Sequence, residues 1–187
     1  MSSPIILILG GARSGKSDYA EKLAGRLGRR VLYIATAEPG DDEMAARIAA
    51  HRQARPADWD TLEAPRQVGV ALASVDESPE VLLLDCLTLL ISNIILAMES
   101  EPQQVIETAV FHELEAIVSA QQQLEAPLII VSNEVGLGLV PSYALGRVYR
   151  DVLGRANQRL AGLADQVLFM VAGLPLVVKG DREQMLI

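Results

Sequence analysis

Residues 5–17 read Ile-Ile-Leu-Ile-Leu-Gly-Gly-Ala-Arg-Ser-Gly-Lys-Ser, and this stretch decides the fold of the chain. Residues 5–9 form a continuous apolar run, which indicates a strand buried on both faces. From residue 17 to 27 apolar side chains recur at helical spacing, and Gly28 then supplies a stop signal. We therefore expect a strand, a tight glycine-rich turn and a helix in direct succession.

The turn between that strand and that helix has the form Gly10-x4-Gly15-Lys16-Ser17, which is the full P-loop pattern. Its glycines allow backbone N–H groups to curl around an anion, and the N-terminus of the helix adds a partial positive charge. Lys16 can reach the outer phosphates of a nucleoside triphosphate, and the Ser17 hydroxyl can coordinate Mg²⁺. The residues predicted to bind the nucleotide are Gly10, Gly11, Ala12, Arg13, Ser14, Gly15, Lys16 and Ser17. The alternative is a glycine-rich turn that holds no ligand.

Apolar runs and helical patterns alternate along the rest of the chain. Further strands are expected at residues 31–35, 81–85, 128–131 and 167–171, the last extended by residues 176–178. Helices are expected at residues 41–54, 87–98 and 143–163 and around residues 105–118. Between residues 57 and 80 the sequence predicts only connections, around a modest helical stretch near residues 68–75. The alternation predicts an α/β fold of the P-loop, RecA-like type, in which a mostly parallel sheet carries helices on both faces.

The composition fits one domain over residues 1–187. The presence of a single cysteine, which cannot form an intramolecular disulfide, suits a reducing compartment. The 24 acidic residues against 16 basic ones give a net charge of −8, which repels nucleic acid backbones and anionic membranes. No apolar run approaches the ~20 residues needed to cross a bilayer, and the N-terminus lacks the basic flank of a secretory signal. The single cysteine, Cys86, is expected to be a buried, inert thiol. We expect a cytoplasmic protein that takes neither nucleic acid nor membrane as its partner.

Two polar residues follow predicted strands of the sheet. Asp85 ends a strand, where its carboxylate would emerge at the carboxyl edge of the sheet beside the phosphate loop. It is the best candidate for a second Mg²⁺ contact besides Ser17, and an ordinary polar residue at a strand end is the alternative. Thr36 follows the neighbouring strand and is expected to line the same crevice.

The two histidines lie in different sequence settings. His112 falls on the polar side of its amphipathic helix, which indicates a solvated surface residue. His51 shares a helical stripe with Arg47 and Arg55, and Arg52 is adjacent. Because nearby positive charge disfavours protonation of an imidazole, a neutral ring nitrogen can persist and attack phosphorus. The alternative is a solvated histidine on an arginine-rich face.

Several blocks of the sequence together resemble one enzyme family. They are residues 10–17, Tyr33-Ile-Ala-Thr36, Asp41-Asp-Glu-Met-Ala-Ala-Arg-Ile48 followed by His51 and Arg55-Pro56, Ser132-Asn-Glu-Val-Gly136 through Val140-Pro141, and Gly154-Arg-x-Asn-Gln158. With them the chain resembles the bifunctional adenosylcobinamide kinase/adenosylcobinamide-phosphate guanylyltransferase family of cobalamin biosynthesis. The likeness spans nearly the whole chain, and the combination is far more specific than the P-loop alone.

This resemblance implies two successive reactions on one corrinoid substrate. Members of the family phosphorylate the aminopropanol hydroxyl of adenosylcobinamide, using ATP or GTP. A histidine then attacks the α-phosphate of GTP, expels pyrophosphate and passes GMP to the corrinoid phosphate. The position that matches this histidine is His51, so His51 and Lys16 are the expected catalytic residues, with GTP, ATP and Mg²⁺ as nucleotides and cofactor. The resemblance also implies a homo-oligomer, a trimer.

Further site residues follow from the same resemblance. The implied nucleotide-binding residues outside the phosphate loop are Ala35, Thr36, Ala37, Arg52, Gln53, Ala54, Arg55, Glu63 and Asp85. Glu63 is expected to hold guanine or ribose, since a carboxylate can accept from the N1 and N2 edge of guanine, and a plain polar loop residue is the alternative. Ser132, Asn133 and Glu134 are expected to meet the corrinoid or to form a structural turn. The last set, Arg147, Arg150, Arg155 and Arg159, is expected to form a solvated or subunit-contact face.

Two other functions stay open at the level of the sequence. One is a P-loop small-molecule kinase with no covalent step, and the other is a nucleotide sensor whose P-loop serves as a switch. Only the bifunctional enzyme requires a GMP adduct on the protein. Labelling with GTP that carries ³²P at the α or the γ position therefore separates the three hypotheses.

Overall fold

The computed structural model describes residues 3–38, 40, 56–75 and 78–181 of the chain. The helix predicted at residues 41–54 lies outside these ranges. So do five predicted site residues, His51, Arg52, Gln53, Ala54 and Arg55.

One seven-stranded sheet runs through the described residues. Its strands are β1 (Ile5–Gly10), β2 (Val31–Ala35), β3 (Asp60–Glu63), β4 (Val81–Asp85), β5 (Leu128–Asn133), β6 (Gln166–Val171) and β7 (Leu174–Lys179). They lie side by side in the order β3-β2-β4-β5-β1-β6-β7. All neighbours are parallel except β7, which is antiparallel to β6. The predicted mostly parallel sheet is confirmed.

Helices cover both faces of this sheet. They are α1 (Lys16–Leu27), α2 (Val68–Ala73), α3 (Leu87–Ala97), α4 (Gln103–Leu124) and α5 (Ala144–Leu163). Buried side chains of α1 pack against one face, and those of α2 to α5 pack against the other. The helices predicted at residues 17–27, 87–98 and 143–163 are confirmed to within one residue, whereas α4 is longer than predicted at both ends.

The apolar run of β1 divides between two cores. Ile5 and Leu7 pack in the larger core beneath α2 to α5, while Ile6 and Ile8 pack in the smaller core beneath α1. Alternate side chains of a strand point to opposite faces, so a strand covered on both sides must be apolar at every position. This is why β1 shows no polar alternation.

The carboxyl ends of the parallel strands meet at one edge of the sheet, which we call the carboxyl edge. The pairing brings Gly10 of β1 opposite Asn133 of β5, and Asp85 of β4 opposite Ala35 of β2. Loops that follow these strands therefore share one crevice, the usual place for a ligand in this kind of sheet.

Strand β3 was not predicted, since the sequence between residues 57 and 80 indicated only connections and a helical stretch. Its residues, Asp-Thr-Leu-Glu, include one apolar side chain, and they lie at the margin of the sheet with little burial. A short marginal strand is held by backbone pairing, here to β2, so its side chains carry no apolar signal.

The prediction that residues 176–178 extend the strand before them is wrong. Ala172 and Gly173 both have left-handed backbone angles, with φ of 51° and 82°. Two such residues in succession form a tight hairpin turn, which reverses the chain into β7. The sequence signal missed here is the Ala172-Gly173 pair between two apolar runs.

Candidate active site

The phosphate loop lies between the end of β1 at Gly10 and the start of α1 at Lys16. Gly15 adopts a left-handed φ of 87°, and a Cβ placed on Gly10 would lie 2.6 Å from Ser14 Oγ and 2.7 Å from the Met170 carbonyl oxygen. Both glycines are therefore required by geometry, the first by crowding and the second by its backbone angle.

Backbone bonds from distant parts of the chain hold this loop in place. Glu134 N–H donates to the Gly10 carbonyl at 3.0 Å, and Gly173 N–H donates to the Ser14 carbonyl at 3.0 Å. One partner follows β5 and the other lies in the hairpin between β6 and β7. The loop is therefore fixed from both flanking strands, which suits a preorganised anion site.

Lys16 is buried, with 7% of its surface exposed. Its ammonium donates to the Gly11 carbonyl at 2.5 Å and approaches Ser14 Oγ at 3.5 Å. Burial lowers the pKa of Lys16 below its ordinary value, and the nearby Cys86 and Asp85 act in the opposite direction. The ammonium is thus held inside the phosphate loop, where a phosphate oxygen can replace the Gly11 carbonyl as its hydrogen-bond acceptor.

Asp85 lies at the carboxyl edge, at the end of β4. Its Oδ2 accepts a hydrogen bond of 3.0 Å from the hydroxyl of Tyr33, a buried residue of β2. The carboxylate acts on the pKa of Lys16, so the two charges lie within electrostatic reach. Ser17, half-buried in the first turn of α1, follows Lys16 directly. The structure therefore brings Lys16, Ser17 and Asp85 to the same edge.

Thr36 is completely buried and ties the ends of β2 and β4 together. Its hydroxyl donates to the Cys86 carbonyl at 2.7 Å and accepts from Cys86 N–H at 2.9 Å. The side-chain amide of Asn93 donates to the carbonyls of Thr36 and Pro65, each at 2.9 Å. The side chain of Thr36 thus holds the ends of β2 and β4 together, and its predicted place beside the nucleotide stays a prediction.

Glu63 is exposed at the end of β3 and pairs in register with Ala35 of β2. Four strand spacings separate β3 from β1, which at ~4.8 Å each amounts to roughly 19 Å. A nucleotide that is bound by its phosphates at β1 and reaches Glu63 would lie across the ends of β5, β4 and β2. Ala35 and Ala37 are half-buried along this line.

The three polar residues after β5 have different surroundings. Ser132 is fully buried, and its hydroxyl donates to Asn157 Oδ1 at 2.8 Å. Asn133 N–H donates to the hydroxyl of Thr88 at 2.8 Å, and its carbonyl accepts from Asn157 Nδ2 at 3.1 Å. Ser132 and Asn133 belong to β5 itself, so they extend the predicted strand and do not form the turn that was the alternative. Glu134 is half-buried beside the phosphate loop.

Sequence reasoning missed Thr88, Asn93 and Asn157 as residues that shape the site. Thr88 and Asn93 are polar members of the very apolar helix α3, and Asn157 is a buried polar residue of α5. A polar side chain on a buried helix face needs a partner, and here the partners are backbone groups at the carboxyl edge. The sequence signal for these three residues was therefore a polar side chain at a position where the helical pattern calls for an apolar one.

A family model described as "Cobinamide kinase / cobinamide phosphate guanyltransferase" matches residues 6–178. The chain belongs to this family. The resemblance deduced from the sequence blocks is confirmed, and so is the predicted enzyme class, a bifunctional cobinamide kinase and cobinamide phosphate guanylyltransferase.

Curated relatives in the cobinamide kinase family match over nearly their full length. The chain is 42% identical to the "Bifunctional adenosylcobalamin biosynthesis protein CobU" of Salmonella typhimurium, over 94% of this chain and 99% of that protein. It is 47% identical to the "Bifunctional adenosylcobalamin biosynthesis protein CobP" of Pseudomonas aeruginosa, over 94% and 97%. It is 41% identical to the CobU protein of Escherichia coli, over 94% and 99%.

The fold of this cobinamide kinase family member also has a solved counterpart. The crystal structure of the RadB recombinase superposes with a TM-score of 0.51 at 14% identity, covering 90% of this chain and 75% of that one. This likeness confirms the RecA-like P-loop fold class and carries nothing about the reaction. None of the described helices is both long and apolar enough to span a membrane.

Surface residues of the family member fall where the sequence placed them. His112 is exposed on α4, as predicted. Arg155 pairs with Glu107 at 2.6 Å and Arg159 pairs with Glu115, so two of the predicted surface arginines join α5 to α4. Ion pairs of this kind at the surface add little stability. Arg147 is exposed as well, whereas Arg150 is half-buried, and a subunit contact through these arginines stays a prediction.

Cys86 is half-buried in the family member's site, and the pKa of its thiol is raised to about 11, first by burial and then by Asp85. A raised pKa leaves less of the reactive thiolate near neutral pH. We expect iodoacetamide at pH 8 to modify Cys86 roughly 50- to 100-fold more slowly in the folded protein than in the urea-unfolded chain, with the folded rate rising between about pH 9 and 11. Mass spectrometry of timed samples measures both rates, and equal rates at pH 8 would contradict an inert thiol.

Proposed function

We propose that this protein phosphorylates adenosylcobinamide with ATP or GTP and then transfers GMP from GTP to adenosylcobinamide phosphate through a GMP–His51 intermediate. The product is adenosylcobinamide-GDP. The observation that carries the proposal is the phosphate loop with the buried Lys16 at one end of a row of edge residues that continues through Asp85 and Ala35 to Glu63. The row is long enough for one extended nucleotide. A reacting group can then reach its γ-phosphate in the kinase reaction and its α-phosphate in the guanylyl transfer.

The proposed nucleotide contacts follow from that row. Residues 10–17 hold the phosphates through backbone N–H groups, Lys16 and the N-terminus of α1. Residues 35–37 and 52–55 border the nucleotide, and Glu63 accepts from the guanine N1 and N2 edge. Because Glu63 is exposed at the margin of the sheet, it is reachable by a base that extends past the end of β2.

Mg²⁺ fits the groups that the carboxyl edge offers. Asp85 provides a carboxylate and Ser17 a hydroxyl, and oxygen ligands of this kind are the ones that Mg²⁺ prefers. Burial lowers the pKa of Lys16, the residue before Ser17, and the charge of Asp85 acts to raise it. This interaction supports a position for both Asp85 and Ser17 near the phosphates. When bound, the ion would neutralise charge on the phosphate oxygens. The Tyr33 hydroxyl holds Asp85 in position through Oδ2.

The guanylyl transfer divides into two displacements. In the first, a neutral ring nitrogen of His51 attacks the α-phosphorus of GTP, a P–N bond forms, and pyrophosphate leaves with the electrons of the broken P–O bond. In the second, a phosphate oxygen of the corrinoid attacks the same phosphorus, and the imidazole leaves with its electron pair. Arg47 and Arg55, at helical spacing from His51 in the sequence, would keep the imidazole neutral and stabilise the charge that develops on phosphate.

Labelled GTP tests this function directly. The protein is incubated with Mg²⁺ and either α-³²P-GTP or γ-³²P-GTP, precipitated, and treated with acid or alkali. The bifunctional mechanism predicts an adduct from the α-label alone, labile in acid and stable in alkali, as expected for a P–N bond. With cobinamide present, the γ-label should appear on the corrinoid.

Other outcomes of this experiment favour the alternatives. Transfer of the γ-label to cobinamide without any protein-bound α-label would indicate a kinase with no covalent step. Binding of GTP without turnover in either experiment would indicate a sensor. Either result would overturn the covalent mechanism.

We also propose that the protein is a cytoplasmic homo-oligomer, a trimer by family resemblance, in which β7 contacts a second copy. Leu174, Leu176 and Val178 alternate along β7, point the same way, and are all exposed. An apolar strand at the margin of a sheet is a surface that proteins normally cover. Because the family resemblance implies an oligomer, a second copy of the chain is the occupant that we propose for this strand.

Lysine substitutions on β7 test the proposed contact between two copies of the chain. In the double variant Leu176→Lys/Val178→Lys, we expect the mass measured by light scattering at micromolar concentration to fall toward that of one chain, since two apolar contacts are replaced by like charges. The control is Val70→Lys, an equally exposed apolar residue on α2. An unchanged mass in the double variant would exclude β7 as the contact.

A further inference from the structure

An exposed apolar segment follows β5 directly beside the phosphate loop. We call residues 135–143 the apolar loop; it contains no charged residue in a chain whose net charge is −8. Leu137 and Leu139 are 82% and 97% exposed, and Val140 and Tyr143 are also largely exposed. Four large apolar side chains close together on the surface mark a binding surface far more often than scattered single ones do.

The apolar loop is held in a defined shape despite this exposure. Gly136 N–H donates to Glu134 Oε1 at 2.6 Å, and the Arg147 guanidinium donates to the carbonyls of Pro141 and Ser142 at 3.1 and 2.9 Å. The ring of Tyr143 lies so close to Gly146 that a Cβ there would come within 2.7 Å of it. These contacts present the leucines to solvent in a fixed arrangement, and preorganisation of this kind lowers the cost of binding.

Several contacts also join the apolar loop to the phosphate site. Glu134, the residue before the loop, donates its N–H to Gly10 of the phosphate loop at 3.0 Å. At its other end, Tyr143 and Cys86 both act on Tyr149, whose pKa is raised to about 12, chiefly by burial. Tyr149 is thus within electrostatic reach of both Tyr143 of the apolar loop and Cys86 after β4. The loop leads from β5, the strand next to β1, into α5, which packs on the face of the sheet opposite α1.

We propose that the apolar loop binds the corrin ring of the acceptor, with Leu137 and Leu139 as its main contacts; this inference rests on the function proposed above. The hydroxyl that is phosphorylated must reach the γ-phosphate at Lys16, so the rest of the acceptor must lie next to the phosphate loop. A corrin ring presents methyl groups and uncharged amides, which match a loop with apolar side chains and free of charge. The base end of the nucleotide is proposed to lie at Glu63 on β3, three strands beyond β5 along the carboxyl edge.

The test uses the whole protein and dicyanocobinamide, whose own visible absorbance reports binding in equilibrium dialysis. We expect the double variant Leu137→Asn/Leu139→Asn to bind dicyanocobinamide at least tenfold more weakly and to raise KM for cobinamide by a similar factor, because two apolar contacts are lost. The affinity for GTP should stay within about twofold, since the phosphate loop is untouched. The control is Leu96→Asn, an exposed leucine near the end of α3 and so away from the carboxyl edge.

Three results would overturn this inference. The first is unchanged corrinoid affinity in the double variant, and the second is an equal loss in Leu96→Asn. The third is a loss of corrinoid affinity that occurs only together with dissociation of an oligomer, which would identify the apolar loop as a subunit contact. Failure of the unaltered protein to bind GTP would instead argue against the proposed function, so the two failures are distinguishable.

Discussion

Replacing His51 with alanine is expected to lower guanylyl transfer by roughly 1000-fold or more and to abolish the protein-bound α-label, while phosphorylation of cobinamide continues at close to its normal rate. The reason is that the imidazole is needed only for the P–N bond. The phosphate loop with Lys16 is sufficient to position the γ-phosphate for the kinase reaction. Product analysis by chromatography measures both activities on the same enzyme sample.

His112→Ala is the matched control, because His112 is the second histidine of the chain and lies exposed on α4. It should retain both activities and the α-label. If His51→Ala kept the label, or if both activities fell together in that variant, the covalent role of His51 would be wrong.

Replacing Lys16 with alanine is expected to reduce both activities, the kinase by about 1000-fold. Lys16 is the buried positive charge of the phosphate loop, and its removal leaves the Gly11 carbonyl at the loop without its ammonium partner. Because the ammonium is enclosed, arginine should not substitute for it, since its larger planar head does not fit the same space. Steady-state assays with GTP and cobinamide measure the loss, together with the thermal midpoint as a check on folding.

Lys22→Ala provides the comparison for this variant. Lys22 lies on the same helix, α1, but is exposed to solvent. It should leave both activities within about twofold. A Lys16→Ala enzyme that kept guanylyl transfer at the normal rate would mean that GTP is held for that reaction at another site.

The central part of the fold was predictable because its signals are local. The buried strands carry unbroken apolar runs, and the P-loop glycines are required by contacts a few residues away, such as the crowding of Gly10 against Ser14. Strand β4 and helix α5 likewise show strong apolar patterns, and their predicted bounds agree with the structure to within one residue.

Other features depend on partners that are distant in sequence, and these were missed. Strand β3 exists because its backbone pairs with β2, about thirty residues earlier. Thr36 was expected in the crevice, but a hydroxyl cannot be assigned to a ligand or to the backbone of Cys86 until the strand order is known. The same holds for Asn157, whose partners Ser132 and Asn133 lie 25 and 24 residues away.

The residues of the candidate site likewise differ in how far the sequence alone could predict them. Lys16, Ser17 and Asp85 were placed together from the sequence because parallel strands end at a common edge, and the structure brings them there. The role of His51 came from family resemblance and from neighbouring arginines, and it stays a prediction because His51 lies outside the described residues. No sequence pattern indicated a binding role for the apolar loop, since solvent exposure of its leucines depends on the fold around them.

The bonds that fix the phosphate loop bear on when the nascent protein gains the ability to bind a nucleotide. Gly10 and Ser14 rely on backbone donors from residues 134 and 173, so more than 150 residues separate the motif from its last support. A ribosome-bound chain that has exposed only β1, α1 and β2 carries the complete P-loop motif without its scaffold. Nucleotide affinity should therefore emerge late in synthesis, after the hairpin of β6 and β7 has formed.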